Sequence, residues 1–371
     1  MLQSSEKATQ SQWALIRRRF FRHKLGVISL ATLIILYVVA VFAEFFSPYP
    51  PGHRNPDTPY APPQTVRFSF EHGLHAKAQV PNIDPVTLNH YYTISDEVVP
   101  LGFFVRGEPY RLWGLFEWDR RFFGPVNSGN GDGESTLDAG LNTFFWLGSD
   151  KFGRDQLSRL IAGSRISLSV GMLSILATFL LGISIGGISG YLGGRVDNLI
   201  QRIIEIVNAF PQLPLWLAFA AVLPGHWSSL RIYFMITLVL SLLNWTGLAR
   251  TVRGKILALR EEDYAVAARL LGASHFRILF RHLLPGFTSH IIVTLTLSIP
   301  VMILGETALS FLGLGLRPPI VSWGVMLQDC LNMDLVDAYP WILAPVFFII
   351  ITVLSFNFLG DALRDAADPY R

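Results

Sequence analysis

Glu306 is the one acidic residue of this 371-residue chain that lies well inside an apolar run. A carboxylate in such a run is costly unless it faces water or a partner, so a translocation or gating role is one hypothesis. Glu306 also falls close to the outer end of its predicted helix, where hydration is cheap and a structural hydrogen bond explains it equally well. The sequence leaves both interpretations open.

The phosphate-binding and metal-binding patterns of common enzyme active sites are missing. The chain has no Gly-x-x-x-x-Gly-Lys-Ser/Thr phosphate loop and no His-Glu-x-x-His metal helix. We therefore expect no catalytic residue, no metal site and no bound cofactor in this chain. The single cysteine, Cys330, excludes an intrachain disulfide. A formal net charge of +3 is too small to indicate binding of nucleic acid.

The composition, with 51% apolar and 15% charged residues, predicts a membrane protein. A transmembrane helix needs about 20 mainly apolar residues, because no backbone group can stay unpaired in hydrocarbon. Pro211 and Pro214 interrupt the third of the six predicted spans, which is either one span or a short interfacial helix followed by a crossing one. The spans are Leu25–Phe46, Ile166–Gly190, Ile203–Leu223, Arg231–Leu248, Phe287–Phe311 and Pro340–Gly360.

The distribution of basic residues predicts the orientation. Lys and Arg are concentrated in residues 17–24, before the first span, and in the loop 250–285. Short loops rich in Lys and Arg stay in the cytoplasm, so both termini should be cytoplasmic. Val41-Phe42-Ala43 would also suit a signal-peptide cleavage site, but the long apolar core favours a retained anchor.

The polar segment after the first span should lie outside the cytoplasm. Alternation in Val66, Phe68 and Phe70, and the aromatic runs at 91–93 and 103–105, predict short strands. Residues 127–134 are rich in Gly, Asn and Asp, but their carboxylates lack the EF-hand spacing, so a flexible turn is favoured over a calcium loop.

The basic loop 250–285 predicts a helix, a break and a second helix. Gly272 can take the left-handed conformation that ends the first helix, Ser274 can cap the second, and Pro285 should terminate it. Small alanines beside charged residues suit docking by another surface, although an ordinary basic loop at the membrane surface fits the composition as well. The residues of the docking interpretation are Glu261, Glu262, Asp263, Tyr264, Ala267, Ala268, Arg269, Gly272, Ala273 and Pro285.

Three glycines, Gly182, Gly186 and Gly190, recur every four residues in the second span. This spacing puts them on one helix face, where another helix can approach closely. We expect this face to pack in the interior of the bundle or against a partner.

Ala267-Ala268, followed by Gly272 and later by Leu284-Pro285, resembles the coupling loop of binding-protein-dependent ABC importer permeases. In that family the loop inserts into a groove of the ATPase subunit. Val266 stands where the family pattern has Glu, and the acidic residues 261–263 could replace it from one turn earlier.

Two further motifs resemble one branch of this family, the C-type permeases for dipeptides, oligopeptides and nickel. Residues 147–155, Leu-Gly-Ser-Asp-Lys-Phe-Gly-Arg-Asp, are similar to the signature Leu-Gly-Thr-Asp-x-x-Gly-Arg-Asp. The stretch 306–315 is similar to a second motif of the branch. The resemblance covers the first span and nearly everything after Trp146, and leaves the extracytoplasmic segment unmatched.

The resemblance implies an all-α polytopic membrane protein with six transmembrane helices, like a type I ABC importer permease. The residue pattern of the unmatched segment adds a small, partly β extracytoplasmic insertion between helices 1 and 2. The implied segments are a basic cytoplasmic tail 1–24, an anchor helix 25–46, the insertion 47–160, a transmembrane core 161–361 with the coupling loop 250–285, and a cytoplasmic tail 362–371.

The implied function is half of an ATP-driven translocation path for peptides or similar small solutes in the bacterial cytoplasmic (inner) membrane. The implied partners are a second homologous permease, two ATPase subunits that use ATP and Mg²⁺, and an extracytoplasmic binding protein. Two alternatives are an ion-driven secondary transporter and a membrane-anchored receptor or scaffold. Secondary transporters usually show inverted repeats and ionisable groups near the midplane, and neither is evident in this sequence.

Overall fold

The computed structural model describes residues 12–85, 90–126 and 143–368, which are mainly helical. The helices are α1 Gln12–Arg22, α2 Lys24–Val41, α3 Ala43–Phe46, α4 Gln156–Leu192, α5 Gly194–Asn208, α6 Gln212–Ala221, α7 Ser229–Leu259, α8 Asp263–Leu270, α9 His275–Arg277, α10 Thr288–Phe311, α11 Trp323–Met326, α12 Met333–Ala338 and α13 Ala344–Ala367. The strands are β1 Arg67–Ser69, β2 Gly73–Ile83, β3 His90–Leu112 and β4 Phe116–Pro125. A π-helical turn covers Ile278–Leu283, and 3₁₀ turns cover Leu284–Phe287, Leu327–Leu331 and Pro340–Leu343.

Within the described ranges, five helical segments are long and apolar enough to cross a membrane, and α5 with α6 forms a bent pair that would make six. The pair bends by 82°. Pro211 causes the break, because it takes the extended conformation at the start of α6. At ten residues, α6 spans only about 15 Å and cannot cross alone.

Several helices extend beyond the predicted spans, because hydropathy detects only the apolar part of a helix. Helix α4 begins at Gln156, well before Ile166, and α7 continues past Leu248 to Leu259. Pro285 does not end the second helix of the loop. It occupies the first turn of a 3₁₀ segment, where no backbone donor is needed, and the helical path runs on into α10.

The chain forms two compact units. The first comprises Met1–Ile34, Ser169–Leu309 and Ile350–Arg371, and the second comprises Ile35–Leu168 and Ser310–Ile349. The predicted insertion 47–160 falls within the second unit.

The core of the first unit includes the place where α4 and α7 meet. A Cβ added to Gly182 would lie 2.7 Å from the Leu248 side chain, and one on Gly186 would lie 2.8 Å from the Cα of Ala249. Gly190 likewise faces the backbone of Arg253. Residues 182–186 also have the Gly-x-Ser-x-Gly spacing of a nucleophile elbow, but they lie inside α4 and not at a strand-to-helix turn.

The second unit contains an antiparallel sheet of order β1-β2-β3-β4. Its small core includes Ala76, Val99, Leu101 and Phe123. The prediction of short strands was wrong for β3, which has 23 residues. The first half of β3 pairs with β2 and the second half with β4, and the register shifts once along each pairing. Irregular pairing of this kind breaks the alternation that a sequence pattern relies on.

A hydrogen-bonded turn leads into α4. The Asp150 carboxylate accepts bonds from the backbone N–H groups of Phe152 (2.9 Å) and Arg154 (3.0 Å). Burial would raise the pKa of this carboxyl, but the Arg159 and Arg154 guanidinium groups outweigh it and hold the pKa below its usual range. The Asp155 Oδ2 accepts the Ser158 N–H at 2.7 Å and caps α4.

Replacing Gly186 by Ala should destabilise the protein by about 1–3 kcal/mol, because the added Cβ would meet the backbone of α7. The matched control is Gly254→Ala on α7, where an added Cβ has nothing within 4 Å. Thermal unfolding in detergent measures both variants. Equal melting temperatures would contradict the close contact between the helices.

The Asp155→Asn variant should show a flatter dependence of melting temperature on pH. Burial raises the pKa of Asp155 to about 6. The unfolded pKa is about 3.9, so protonation stabilises the folded state below about pH 4, and this stabilisation is lost as pH rises through about 6. Asparagine keeps an acceptor for Ser158 and does not titrate. Parent and variant curves that coincide between about pH 4 and 7 would contradict the assignment.

Candidate functional site

Residues 260–274, which we call the coupling segment, connect α7 to the helical path into α10. Arg260 holds the base of the segment to the end of α4, since its Nη1 donates to the carbonyl oxygens of Gly190 (3.1 Å) and Tyr191 (3.3 Å). Arg269 donates to the carbonyl oxygen of Arg260 at 3.2 Å. Ala265 is fully buried in the first unit's core. The segment is therefore fixed to the helices and not loosely tethered.

The break predicted at Gly272 is present. Gly272 has φ +77°. The Gly272 N–H donates to the carbonyl of Arg269, and the Ala273 N–H to that of Ala268, both at 3.0 Å. These two bonds form a Schellman motif, which satisfies the last carbonyls of α8. The Ser274 Oγ accepts the Arg277 N–H at 3.3 Å, so the serine caps the next helix.

The structure separates the predicted docking residues into two groups. Ala268 and Ala273 are half-buried against the core of the first unit. Pro285 is exposed but lies beyond the coupling segment, in the 3₁₀ turn before α10. The residues that face outward are Glu261, Glu262, Asp263, Tyr264, Ala267, Arg269 and Gly272.

Sequence reasoning missed the most exposed apolar side chains of this region. Leu270 is 82% exposed, Leu271 is 87% exposed and Phe276 is 70% exposed. The available signal was a pair of leucines, Leu270 and Leu271, directly before the helix-ending glycine of a segment otherwise rich in charged and small residues. Exposed apolar residues grouped in this way are typical of a contact with a protein partner or with a membrane.

A partly buried ion pair joins α4, α5 and α7 next to the coupling segment. Arg253 donates from Nε to Oδ1 of Asp197 at 2.5 Å and from Nη2 to Oδ2 at 2.6 Å. The Ser189 hydroxyl donates to the same Oδ1 at 2.5 Å. The bidentate geometry fixes the orientation of the three helices at this point. A displacement of the coupling segment would therefore move all three helices together.

A cavity of about 360 Å³ lies at the break between α5 and α6. Gln212 donates to the Asn244 Oδ1 at 2.8 Å, and Thr246 donates to the Asn208 Oδ1 at 3.0 Å. We call this the polar cavity. Its polar lining side chains are Asn208, Gln212, Asn244, Thr246, Thr294 and Ser298.

The lining residues of the polar cavity carry no charge, which is why a search for ionisable groups did not find it. The available signal was Asn208 and Gln212 on either side of Pro211, and Asn244 within a separate apolar run. Broken helices are tolerated in a membrane where they line a water-filled cavity. The arrangement can offer hydrogen-bond donors and acceptors to a neutral solute.

Glu306 lies on α10 and is fully buried. The preceding residue, Gly305, lets α10 approach Trp216 and Leu240 closely, since an added Cβ would lie 2.8 Å from the Trp216 ring and 2.9 Å from the Leu240 side chain. Glu306 does not line the polar cavity. Its role in translocation or gating stays a prediction. Within 12–85, 90–126 and 143–368, no three His, Cys, Asp or Glu side chains are grouped as a metal site requires.

Family models match most of the helical part of the chain. Residues 182–370 match the family described as binding-protein-dependent transport system inner membrane component. Residues 11–63 match the one described as N-terminal TM domain of oligopeptide transport permease C. The coupling segment and the polar cavity both lie within the first match.

Three relatives each match this chain over more than two thirds of the relative's length. The dipeptide transport system permease protein DppC of Bacillus subtilis is 41% identical over 225 residues, 60% of this chain and 68% of that protein. The oligopeptide transport system permease protein OppC of the same species is 40% identical over 225 residues, 60% of this chain and 71% of that protein. The glutathione transport system permease protein GsiD of Pectobacterium atrosepticum is 37% identical over 261 residues, 70% of this chain and 79% of that protein.

The first family match spans half of the chain, and the described helices supply the membrane spans that such a protein needs. The chain is thus a multi-pass protein with the type I ABC importer permease fold. It belongs to the binding-protein-dependent transport system inner membrane components and is a permease subunit of an ATP-binding-cassette importer, a class of transporter whose ATPase is separate.

Proposed function

We propose that this chain forms one half of the translocation path of a peptide importer, with a second permease supplying the other half. Two ATPase subunits bind ATP and Mg²⁺ and dock on the coupling segment. An extracytoplasmic binding protein delivers the peptide, and both termini of the chain lie in the cytoplasm. The exposed coupling segment is the observation that carries this proposal.

The coupling segment has the features of a protruding docking surface. Leu270 and Leu271 are largely exposed, and directly after the segment the ring centroids of Phe276 and Phe280 lie 4.3 Å apart. Interfaces bury an apolar centre inside a charged rim. Here the rim is acidic residues 261–263 together with Arg269. The apolar side chains of such a surface are more stable when buried in a groove of a partner than when exposed to water.

The proposed mechanism is a rigid-body movement driven by the ATPase subunits. Arg260 ties the coupling segment to the end of α4, and the Arg253–Asp197 pair ties α4, α5 and α7 together a short distance away. Closure of the ATPase subunits would move the segment and tilt these helices as a group. Because α5 leads into the polar cavity, the tilt would open or close it. Glu306 remains a candidate gating residue in this scheme.

Peptide is the cargo that suits the polar cavity best. Amide and hydroxyl side chains can pair with the N–H and C=O groups of a peptide backbone whatever its side chains are. Nickel prefers imidazole, carboxylate or thiolate ligands, and the lining residues provide none of these. The names of the relatives, for dipeptides, oligopeptides and glutathione, agree with this choice. The uncharged lining also disfavours an ion-driven transporter.

The double substitution Leu270→Ala with Leu271→Ala should weaken binding of the ATPase subunits at least about tenfold. Each leucine would be buried only in the complex, where it contributes about 1.5–3 kcal/mol. Co-purification and transport-coupled ATPase activity in proteoliposomes measure the effect. The matched control is Leu331→Ala, since Leu331 is 55% exposed and lies far from the coupling segment along the chain.

A second substitution adds charge to the docking surface. Ala267→Asp should uncouple ATP hydrolysis from uptake, and Ala267→Ser should not, because serine is small and neutral. Ala267 is exposed, whereas Ala268 packs against the core, so a charge at Ala268 would also unfold the segment. If the charged and the leucine variants retain coupled transport, the docking assignment is wrong.

Replacing Asn244 by Leu should lower ATP-driven uptake of a labelled dipeptide about tenfold, because one hydrogen bond of about 1.4 kcal/mol is lost. Asn244→Ser keeps a donor and an acceptor and should transport at a rate closer to that of the parent. Competition with unlabelled oligopeptide, glutathione and Ni²⁺ in the same vesicles tests the cargo. Normal dipeptide uptake by the Leu variant, or competition by Ni²⁺ alone, would contradict the cavity assignment.

A further inference from the structure

The hairpin that joins β3 to β4 exposes an apolar tip. The tip, residues 113–116, includes Trp113 (47% exposed), Leu115 (75%) and Phe116 (60%). Trp113 has φ +54°. This left-handed conformation is strained for a bulky residue, and such strain is usually found where position matters for function. The exposed rings and the leucine add nothing to the core of the sheet.

Contacts along the hairpin show which way the tip points. Near the base, the ring centroid of Phe122 lies 5.3 Å from that of Phe46 in α3. Closer to the tip, Trp118 stacks on Phe45 at 6.1 Å. At the tip, the Trp113 Nε1 donates to the carbonyl oxygen of Val41 at 2.8 Å. Successive contacts therefore move from Phe46 back to Val41, which is toward the membrane.

Along the axis of α2, the tip lies beside the outer end of the first span. Val41 is the last residue of α2, one of the helices long and apolar enough to cross a membrane. The same Val41 carbonyl accepts a bond from Arg165 at 2.9 Å, and Arg165 pairs with Glu44 at 2.6 Å. A charged pair beside the end of a span is typical of the headgroup region. Trp113 thus lies where Trp is enriched in membrane proteins.

Along the hairpin, apolar residues occupy the tip and charged residues lie behind it, which is the order expected of a segment at a membrane–water interface. Directly behind the tip, Arg111 and Glu117 form an ion pair of 2.7 Å with mostly exposed side chains. On the helix side, Ile35 (62% exposed) and Val38 (44%) continue the apolar surface up to Val41. The tip therefore extends the membrane-facing surface of α2, and a charged pair stands where water or headgroups would begin.

We propose that the tip of the β3–β4 hairpin inserts into the outer leaflet of the bilayer and anchors the extracytoplasmic sheet there. The occupant of this apolar surface is phospholipid, because the tip is continuous with a surface that lipid already covers. The alternative occupants, the partner permease and the binding protein, are outcomes of the test below. The proposal rests on membrane insertion of α2 and is independent of the cargo and of the coupling segment.

The test places a fluorophore on the tip of the complete transporter. In a Cys330→Ser background, which removes the one cysteine, Leu115→Cys is labelled with bimane. The matched control is Ile94→Cys, because Ile94 is also an exposed apolar residue (69%) of β3 but lies in the half that pairs with β2. Phe116→Cys serves as a second tip reporter if Leu115→Cys assembles poorly. Retained ATP-driven uptake confirms assembly.

The labelled transporter is reconstituted in vesicles of phosphatidylethanolamine and phosphatidylglycerol, with or without acyl-chain bromination. Brominated lipid should quench the tip label severalfold and leave the Ile94 label unchanged. Equal emission of the tip label in both vesicles would overturn the proposal. A tip label that is blue-shifted but not quenched by brominated lipid would overturn it in favour of the partner permease, and a blue shift that appears only when the binding protein is added would overturn it in favour of that protein.

Discussion

The close contact between α4 and α7 is the interaction on which the first unit depends. In hydrocarbon there is no hydrophobic drive between helices, so van der Waals contact and buried hydrogen bonds must hold them. Glycines on one face of α4 allow α7 to approach to backbone distance. The same approach brings Arg253 to Asp197 and Arg260 to the end of α4. Larger side chains on this face would separate these groups and release the coupling segment.

The break between α5 and α6 places polar groups where the membrane would otherwise forbid them. A backbone turn at Pro211 leaves hydrogen-bonding groups that helix geometry no longer satisfies. Asn208, Gln212 and Asn244 line the cavity at that break. Neutral amide chemistry is compatible with cargoes that share a backbone and differ in side chains. Strong ionic binding would instead slow release.

The sheet of the second unit lies outside the residues that the family models match. It is stabilised by contacts with the end of the first span. Phe45 and Phe46 of α3 pack onto β4 and connect the sheet to the end of the first span. The buried Arg121 reinforces this connection by donating to the carbonyl oxygen of Ser47 at 2.8 Å. The geometry of the hairpin tip follows from these contacts.

Much of this organisation could be predicted from residue patterns. Apolar length predicted the spans, because a backbone without water has to be helical over the thickness of the bilayer. Gly272 and Ser274 predicted the break in the coupling segment, because a left-handed residue and a capping hydroxyl are local requirements. The ends of α4 and α7 could not be predicted in this way. Both helices continue beyond their apolar stretches, where caps and tertiary contacts decide their length.

Local chemistry thus determined which segments cross the membrane, where the coupling segment bends and the family to which the chain belongs. Tertiary structure alone decided that neutral Asn and Gln side chains gather into a cavity, that Leu270 and Leu271 face outward while Ala268 packs inward, and that a hairpin tip meets Val41. The physical reason is that hydropathy, propensity and capping act over a few neighbouring residues. Exposure and convergence depend on residues far apart in the sequence that meet only after folding.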